Sequence, residues 1–255
     1  MASIVVLGAS SGFGAAAARA FARHGYDIVG VHLDRRGTQP QVDAVVADIE
    51  AAGRRAWFFN VNAADEEARV GVIASLSTQL AAGEVTGLLH SLAFGTLAPF
   101  VGPRAVSRKQ MEMTLDVMGS SLVYWAQGLV GAGLLGDGGR IWAMTSSGSH
   151  MVWPGYGPVS AAKAVLEAAC RQLAVELGPR GITTNAILAG VTDTPALRKI
   201  PGNEVLVQKA LARNPGGRLT TPCDVANFLV LLAQPGAAWV NGNVIRVDGG
   251  EDISG

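Results

Sequence analysis

An α/β fold, a single doubly wound parallel sheet with helices on both faces, is predicted by three features of the 255-residue sequence. Short β-branched runs alternate with Ala-rich stretches of helical length. The turn Gly8–Gly14 places three glycines between the first apolar run and the first such stretch. The composition, 49% hydrophobic with 16% charged, suits parallel strands covered on both faces. No Pro/Gly/Ser-rich linker divides the chain, so residues 1–255 read as one domain.

The alternation runs in order. Ile4–Leu7 reads as a strand, Gly14–His24 as a helix, Ile28–Leu33 as a strand, Gln41–Ala52 as a helix and Ala56–Val61 as a strand. Gly87–Ser91 is the next strand, followed by a long helical stretch from about Ser107. Strand Arg140–Thr145, an Ala-rich helix from about Tyr156 to Leu177, and strands Thr183–Leu188 and Asn243–Val247 complete the series. Right-handed crossovers between such strands give the doubly wound arrangement. The irregular segment 189–218, with Pro195, Pro201 and Pro215 around one short helical stretch, is the candidate substrate lid.

Charge and cysteine content narrow the function. Lys+Arg and Asp+Glu both number 20, so no net field favours nucleic acid or an anionic membrane, and a small-molecule partner is expected. Cys170 and Cys223 are too few for a disulfide framework; both read as buried thiols in apolar helical stretches of a cytoplasmic protein. No apolar run approaches the ~18 residues that a membrane span requires. His24, His32, His90 and His150 show no metal-ligand spacing, so no metal is expected.

The residues Gly8-Ala9-Ser10-Ser11-Gly12-Phe13-Gly14 leave a strand and open a helix, the context of a dinucleotide fingerprint. Gly8 permits the tight exit, Gly12 lets backbone approach a pyrophosphate, and Gly14 allows close helix packing, with the helix N-terminus facing the anion. The glycine spacing, and six further segments in order, resemble the short-chain dehydrogenase/reductase family over essentially the whole chain. That resemblance implies a Rossmann-type fold and a nicotinamide cofactor. His32 stands where many members place an acid for the ribose 2′-hydroxyl, and Arg35 and Arg36 follow, which favours NADPH over NADH; Asp34 acts in the opposite sense. The resemblance further implies that Asn60-Val61 touches the adenine. Ser91-Leu92-Ala93 replaces the family's Asn-Asn-Ala-Gly, and Gly190, Thr192 and Thr194 belong to the segment whose backbone binds the nicotinamide carboxamide.

Tyr156 and Lys163 have six residues between them, whereas most of the family has Tyr-x-x-x-Lys and would place the tyrosine at Val159. This spacing is similar to that of enoyl-acyl-carrier-protein reductases. The stretch His90–Gly95, Ala189-Gly190 in place of Pro-Gly, and Met118 where ketoreductases keep an Asn point the same way. Ser146, at the family's usual serine position, departs from that branch and keeps carbonyl reduction open.

The mechanism implied is hydride transfer to the β-carbon of an enoyl thioester. Tyr156 would stabilise the enolate oxygen, Lys163 would hold the ribose hydroxyls and favour the tyrosinate, and Ser146 would orient the oxygen. Phe94, Met151 and Trp153 are candidate walls of the acyl slot. The alternatives are a ketoreductase or alcohol dehydrogenase using Ser146, Tyr156 and Lys163, and a non-catalytic dinucleotide-sensing protein. The substrate carrier is acyl-carrier protein or coenzyme A, and the family implies a homotetramer.

Overall fold

In the computed structural model, which describes residues 2–254, seven strands pair in parallel. They are β1 (Ser3–Leu7), β2 (Asp27–His32), β3 (Ala56–Asn60), β4 (Val85–His90), β5 (Leu135–Ser146), β6 (Thr183–Ala189) and β7 (Val244–Val247). Their order is β3-β2-β1-β4-β5-β6-β7, so the winding reverses between β1 and β4. Ligands of such sheets bind outside the carboxyl ends of the strands at this switch point.

Among the described residues eight α-helices accompany the sheet: α1 (Gly12–Arg23), α2 (Gln39–Ala51), α3 (Glu66–Gln79), α4 (Arg108–Leu115), α5 (Ser121–Gly131), α6 (Gly157–Leu177), α7 (Asn203–Arg213) and α8 (Pro222–Leu232). Alternate residues of one strand feed two cores, as a period of two demands. Val5 and Leu7 pack with Trp125 and Leu129 of α5 and Leu166 of α6. Ile4 and Val6 pack on the other face with Ala17 and Phe21 of α1 and Leu229 of α8. Phe21 stacks on Trp142 of β5 at 5.5 Å between ring centroids.

Several expected boundaries move. Strand β5 begins at Leu135, not Arg140, because Leu135 pairs with Val85 beyond an irregularity in the β4 register. The helical stretch after Ser107 is interrupted by a π-helical turn, Asp116–Ser120, between α4 and α5. Tyr156 is the N-cap of α6 rather than a residue within it. Helix α3 has only Val72 and Leu76 buried, too thin an apolar stripe to stand out in the sequence. Helix α8 opens on a capping box, Thr221 with Asp224, before its apolar run. Cys170 is buried, as expected, but Cys223 is exposed because it falls in the first turn of α8, outside the packed stripe.

Candidate active site

The glycine turn is a backbone construction. Gly8 adopts φ 87°, and a Cβ there would lie 2.4 Å from the Ser91 carbonyl oxygen. A Cβ on Gly14 would meet the Gly8 carbonyl oxygen at 2.1 Å, so only glycine lets α1 start this close to the sheet. Ser91 N–H donates to the Leu7 carbonyl at 2.9 Å, which fixes Ser91, Leu92 and Ala93 beside the turn. Ser11 caps α1 without a side-chain hydrogen bond, and the first turn has no acidic residue. The first turn of α1 therefore offers its N–H groups no side-chain acceptor of its own, the condition for holding a phosphate. Phe13 lies partly buried against the core on that face. A cavity of about 440 Å³ opens on Ser10, Ser11 and Gly12 and is bounded by Arg19 and Asp193.

Beyond β2, the buried His32 places Nδ1 3.0 Å from the Asp34 carboxylate. Asn60 pins the same residue through its backbone: Asp34 N–H donates to Asn60 Oδ1, and Asn60 Nδ2 donates to the Asp34 carbonyl, both at 3.0 Å. The Asn60 side chain is thus engaged within the corner, and Val61 N–H pairs with the His32 carbonyl. Burial opposes ionisation of Asp34, but hydrogen bonds from Ser10, Thr38 and His32 outweigh it and hold its carboxyl below the usual range. Arg35 and Arg36 follow directly, and Arg36 is exposed.

The displaced tyrosine is placed beside Ser146. A Cβ added to Gly148 would lie 2.4 Å from Tyr156 Cε1 and 3.2 Å from Ser146 Oγ, so the two side chains converge on one backbone position. Burial raises the Tyr156 pKa and the Ser146 hydroxyl partly counters it. Ser146 Oγ is buried, and no contact it makes within the chain has full hydrogen-bond geometry. Val159 is 5% exposed and packs with Met118 against Gly95, so the usual tyrosine position belongs to the core.

Lys163 is almost wholly buried and donates to the Met144 carbonyl at 2.6 Å. Burial brings its pKa down to about 8, opposed by Glu167 and then Cys170. The expectation that its charge favours the tyrosinate is kept for the proposal; in the structure the ammonium is turned to the backbone of β5.

A groove of about 490 Å³ is lined by Phe100, His150, Met151, Val152, Trp153 and the start of α6. Met151 and Trp153 therefore share a wall, whereas Phe94 is 62% exposed and is not part of it. Phe100 takes that place, its ring lying over Gly157, where a Cβ would come within 2.6 Å. The candidate lid reaches this wall through α7, with Lys209 Nζ 5.3 Å from the centre of the Trp153 ring. On the other side of the lid segment, Thr194 lies near Gly12, while Thr192 Oγ1 donates to the Gly190 carbonyl.

Three polar groups gain a role only from the fold. His90 stands out in the sequence merely as part of a segment; it is fully buried, with Nε2 2.9 Å from Ser121 Oγ. Because Ser121 donates its own proton to the Val117 carbonyl, Nε2 carries the histidine proton. Burial, then Lys163, pulls the His90 pKa to about 3, so the ring is neutral. Glu167, one turn beyond Lys163, accepts from Thr145 Oγ1 at 2.6 Å; its spacing from Lys163 is the available signal. Glu251 accepts from Val191 N–H, and a carboxylate directly after the Asp248-Gly249-Gly250 turn is the only cue. Among the described residues there is no cluster of three His, Cys, Asp or Glu that could hold a metal, and no helix is long and apolar enough to cross a membrane.

Comparison with known proteins shows which family the chain resembles. A family model described as enoyl-(acyl carrier protein) reductase matches residues 8–251. The chain is 30% identical to 1-cyclohexenylcarbonyl-CoA reductase of Streptomyces collinus over 98% of its own length and 86% of that protein. It is 31% identical to an NADH enoyl-[acyl-carrier-protein] reductase of Aquifex aeolicus, over 68% of this chain and 64% of that one. A short-chain dehydrogenase of Burkholderia cenocepacia, solved with NADP, superposes with a TM-score of 0.85 at 28% identity, covering 98% of each chain. Gluconate 5-dehydrogenase of Gluconobacter oxydans is also related, at 24% identity over 98% of this chain and 94% of that protein. With the glycine turn, the seven-stranded sheet and the Ser146–Tyr156–Lys163 corner in place, the chain belongs to the short-chain dehydrogenase/reductase family of nicotinamide-dependent oxidoreductases, near its enoyl-reductase branch.

Proposed function

We propose that this oxidoreductase reduces the carbon-carbon double bond of an enoyl thioester, carried on coenzyme A or acyl-carrier protein, with NADPH as the favoured cofactor. One observation carries the reading: the tyrosine beside Ser146 is Tyr156, with six residues between it and Lys163, while Val159 is packed into the core. The family relatives named for an enoyl-acyl-carrier protein and for a cyclohexenylcarbonyl-CoA support it.

The residues present fit the dinucleotide. The α1 N-terminus and Gly12 receive the pyrophosphate, and Arg35 and Arg36 stand at the surface to close on a 2′-phosphate. The Asp34 carboxylate is already engaged by His32, which limits its opposition. The segment Gly190–Thr194 receives the nicotinamide end. When bound, the cofactor supplies the hydride that adds to the β-carbon of the substrate. Tyr156 donates to the thioester oxygen as negative charge develops there, and the free Ser146 hydroxyl orients that oxygen. Lys163 keeps one proton on Met144 and holds the ribose hydroxyls with the others. The Met151–Trp153 wall and the lid exclude water from the acyl chain. Exposed Tyr124 and Val165, on α5 and α6, belong to faces that a homotetramer covers.

The free Ser146 donor also supports a second reading, reduction of a carbonyl through Ser146, Tyr156 and Lys163. The two separate when NADPH oxidation is followed spectrophotometrically with crotonyl-CoA and, independently, acetoacetyl-CoA. The enoyl reading expects turnover of the first at least tenfold faster in kcat/KM. Turnover of acetoacetyl-CoA alone refutes it.

A further inference from the structure

The C-terminal turn is wired into three loops that surround the site. Glu251 is 9% exposed, and its carboxylate accepts from Val191 N–H through both oxygens, at 3.1 and 3.2 Å. The next residue, Asp252, accepts from His150 Nε2 at 2.9 Å, on the substrate groove, and from Arg246 Nε at 2.8 Å. Asp248, at the head of the turn, accepts from Gly250 N–H and Asp252 N–H, and its carbonyl accepts from Asn214 Nδ2 at the end of α7. Gly190 is enclosed by the same groups: a Cβ there would lie 2.4 Å from Thr220 Oγ1 and 2.9 Å from Glu251 Oε2.

Val191 is the first residue outside this enclosure and stands between Gly190 and Thr192. The last ladder bond to β7 is donated by Gly190 N–H to the Val247 carbonyl, so the Val191 donor relies on Glu251. A carboxylate buried near two others is unfavourable by itself, and its presence here points to the segment it holds.

We propose that Glu251 is a positioning residue for cofactor binding: by holding Val191 N–H it fixes the exit of β6, so that Gly190–Thr194 is preformed to receive the nicotinamide end of the dinucleotide. This rests on the assignment of that segment to the nicotinamide, and not on which substrate is reduced. The groups facing the carboxylate make its charge state sensitive. Burial raises the Glu251 pKa, Val191 N–H lowers it, Asp248 and Asp252 raise it, and Arg213 at the end of α7 lowers it. The ionised form is the stronger acceptor, so the segment loosens as pH falls through this raised value.

The test reads binding of oxidised dinucleotide, acid-stable, by calorimetry between pH 5 and 8 in the full-length protein. Glu251→Ala is expected to weaken binding about tenfold at pH 8, while Glu251→Gln, which keeps a neutral acceptor, stays within threefold of the unaltered protein. Binding by the unaltered protein is expected to weaken relative to Glu251→Gln as the pH is lowered, the ratio of the two cancelling titration of the ligand. If Glu251→Ala does not fold, that pH-dependent ratio still decides. Equal affinity of all three proteins at pH 8, or a ratio of the Gln variant to the unaltered protein that is flat with pH, overturns the proposal. Because no turnover is measured, failure here leaves the enoyl-thioester reading to its own assay.

Discussion

The glycine turn and the tyrosine corner both lie at the carboxyl ends of the strands but are built by opposite means. At the turn the working groups are backbone N–H donors, and the sequence acts by leaving side chains out: a Cβ on Gly8 or Gly14 would strike a carbonyl oxygen. At the corner the proposed working groups are side chains, and what matters is which residue the helix start presents. Tyr156 is the N-cap of α6, while Val159 is turned into the core against Met118 and Gly95. A backbone site is fixed by steric exclusion and tolerates no substitution; a side-chain site can be moved by a turn of helix and rebuilt.

The largest expected effect tests the corner. Tyr156→Phe is expected to lower kcat by about 10²–10³ while leaving the dinucleotide dissociation constant unchanged, since one aimed donor to a developing oxyanion is worth that much. Steady-state kinetics beside a fluorescence titration separate the two effects. Adding Val159→Tyr to this variant is not expected to restore turnover, because position 159 faces the core; recovery of activity would break the contrast between the two regions.

Gly14→Ala should instead damage the turn. The added methyl group meets a backbone carbonyl, so a loss of stability of about 3 kcal/mol is expected, the upper end for overpacking, together with more than tenfold weaker dinucleotide binding. Thermal melts with and without cofactor measure both. A Gly14→Ala protein that melts and binds normally would show that backbone exclusion does not define this site.

The smallest effect concerns Lys163, which serves both regions. Its folded pKa of about 8 lies below the ordinary 10.5. The unfolded chain therefore binds the proton more tightly, and stability should rise with pH between these two values. Below about pH 8 the buried ammonium is unfavourable by on the order of 3 kcal/mol, and above the ordinary value the penalty vanishes. Lys163→Met is accordingly expected to raise the melting temperature modestly at pH 7, with the gain shrinking toward pH 10. A gain independent of pH would sharpen the picture differently, locating the penalty in packing instead of charge.

Much of the fold is legible because hydrophobic period and glycine placement are local properties. The runs Ile4–Leu7, Ile28–Leu33 and Thr183–Leu188 match β1, β2 and β6 within a residue or two. Helix α3 is not visible, since two buried residues in 14 make almost no stripe. At the site, the spacing of Tyr156 from Lys163 is legible as a displacement. The partners of Lys163, His90 and Val191 are not, because each depends on an element distant in sequence: Met144 on β5, Ser121 on α5 and Glu251 after β7.

The sequence by itself therefore determined the doubly wound class, the glycine turn between β1 and α1, and the spacing of Tyr156 from Lys163. These follow from residue type and spacing along one stretch of chain. Only the tertiary structure decided which way the buried charges turn. Lys163 faces the Met144 carbonyl, and Glu251 is engaged by Val191 N–H. The reason is physical: a buried polar group goes to whatever partner the packing brings within about 3 Å, and that partner is chosen by the crossing of elements, not by the neighbouring letters of the sequence.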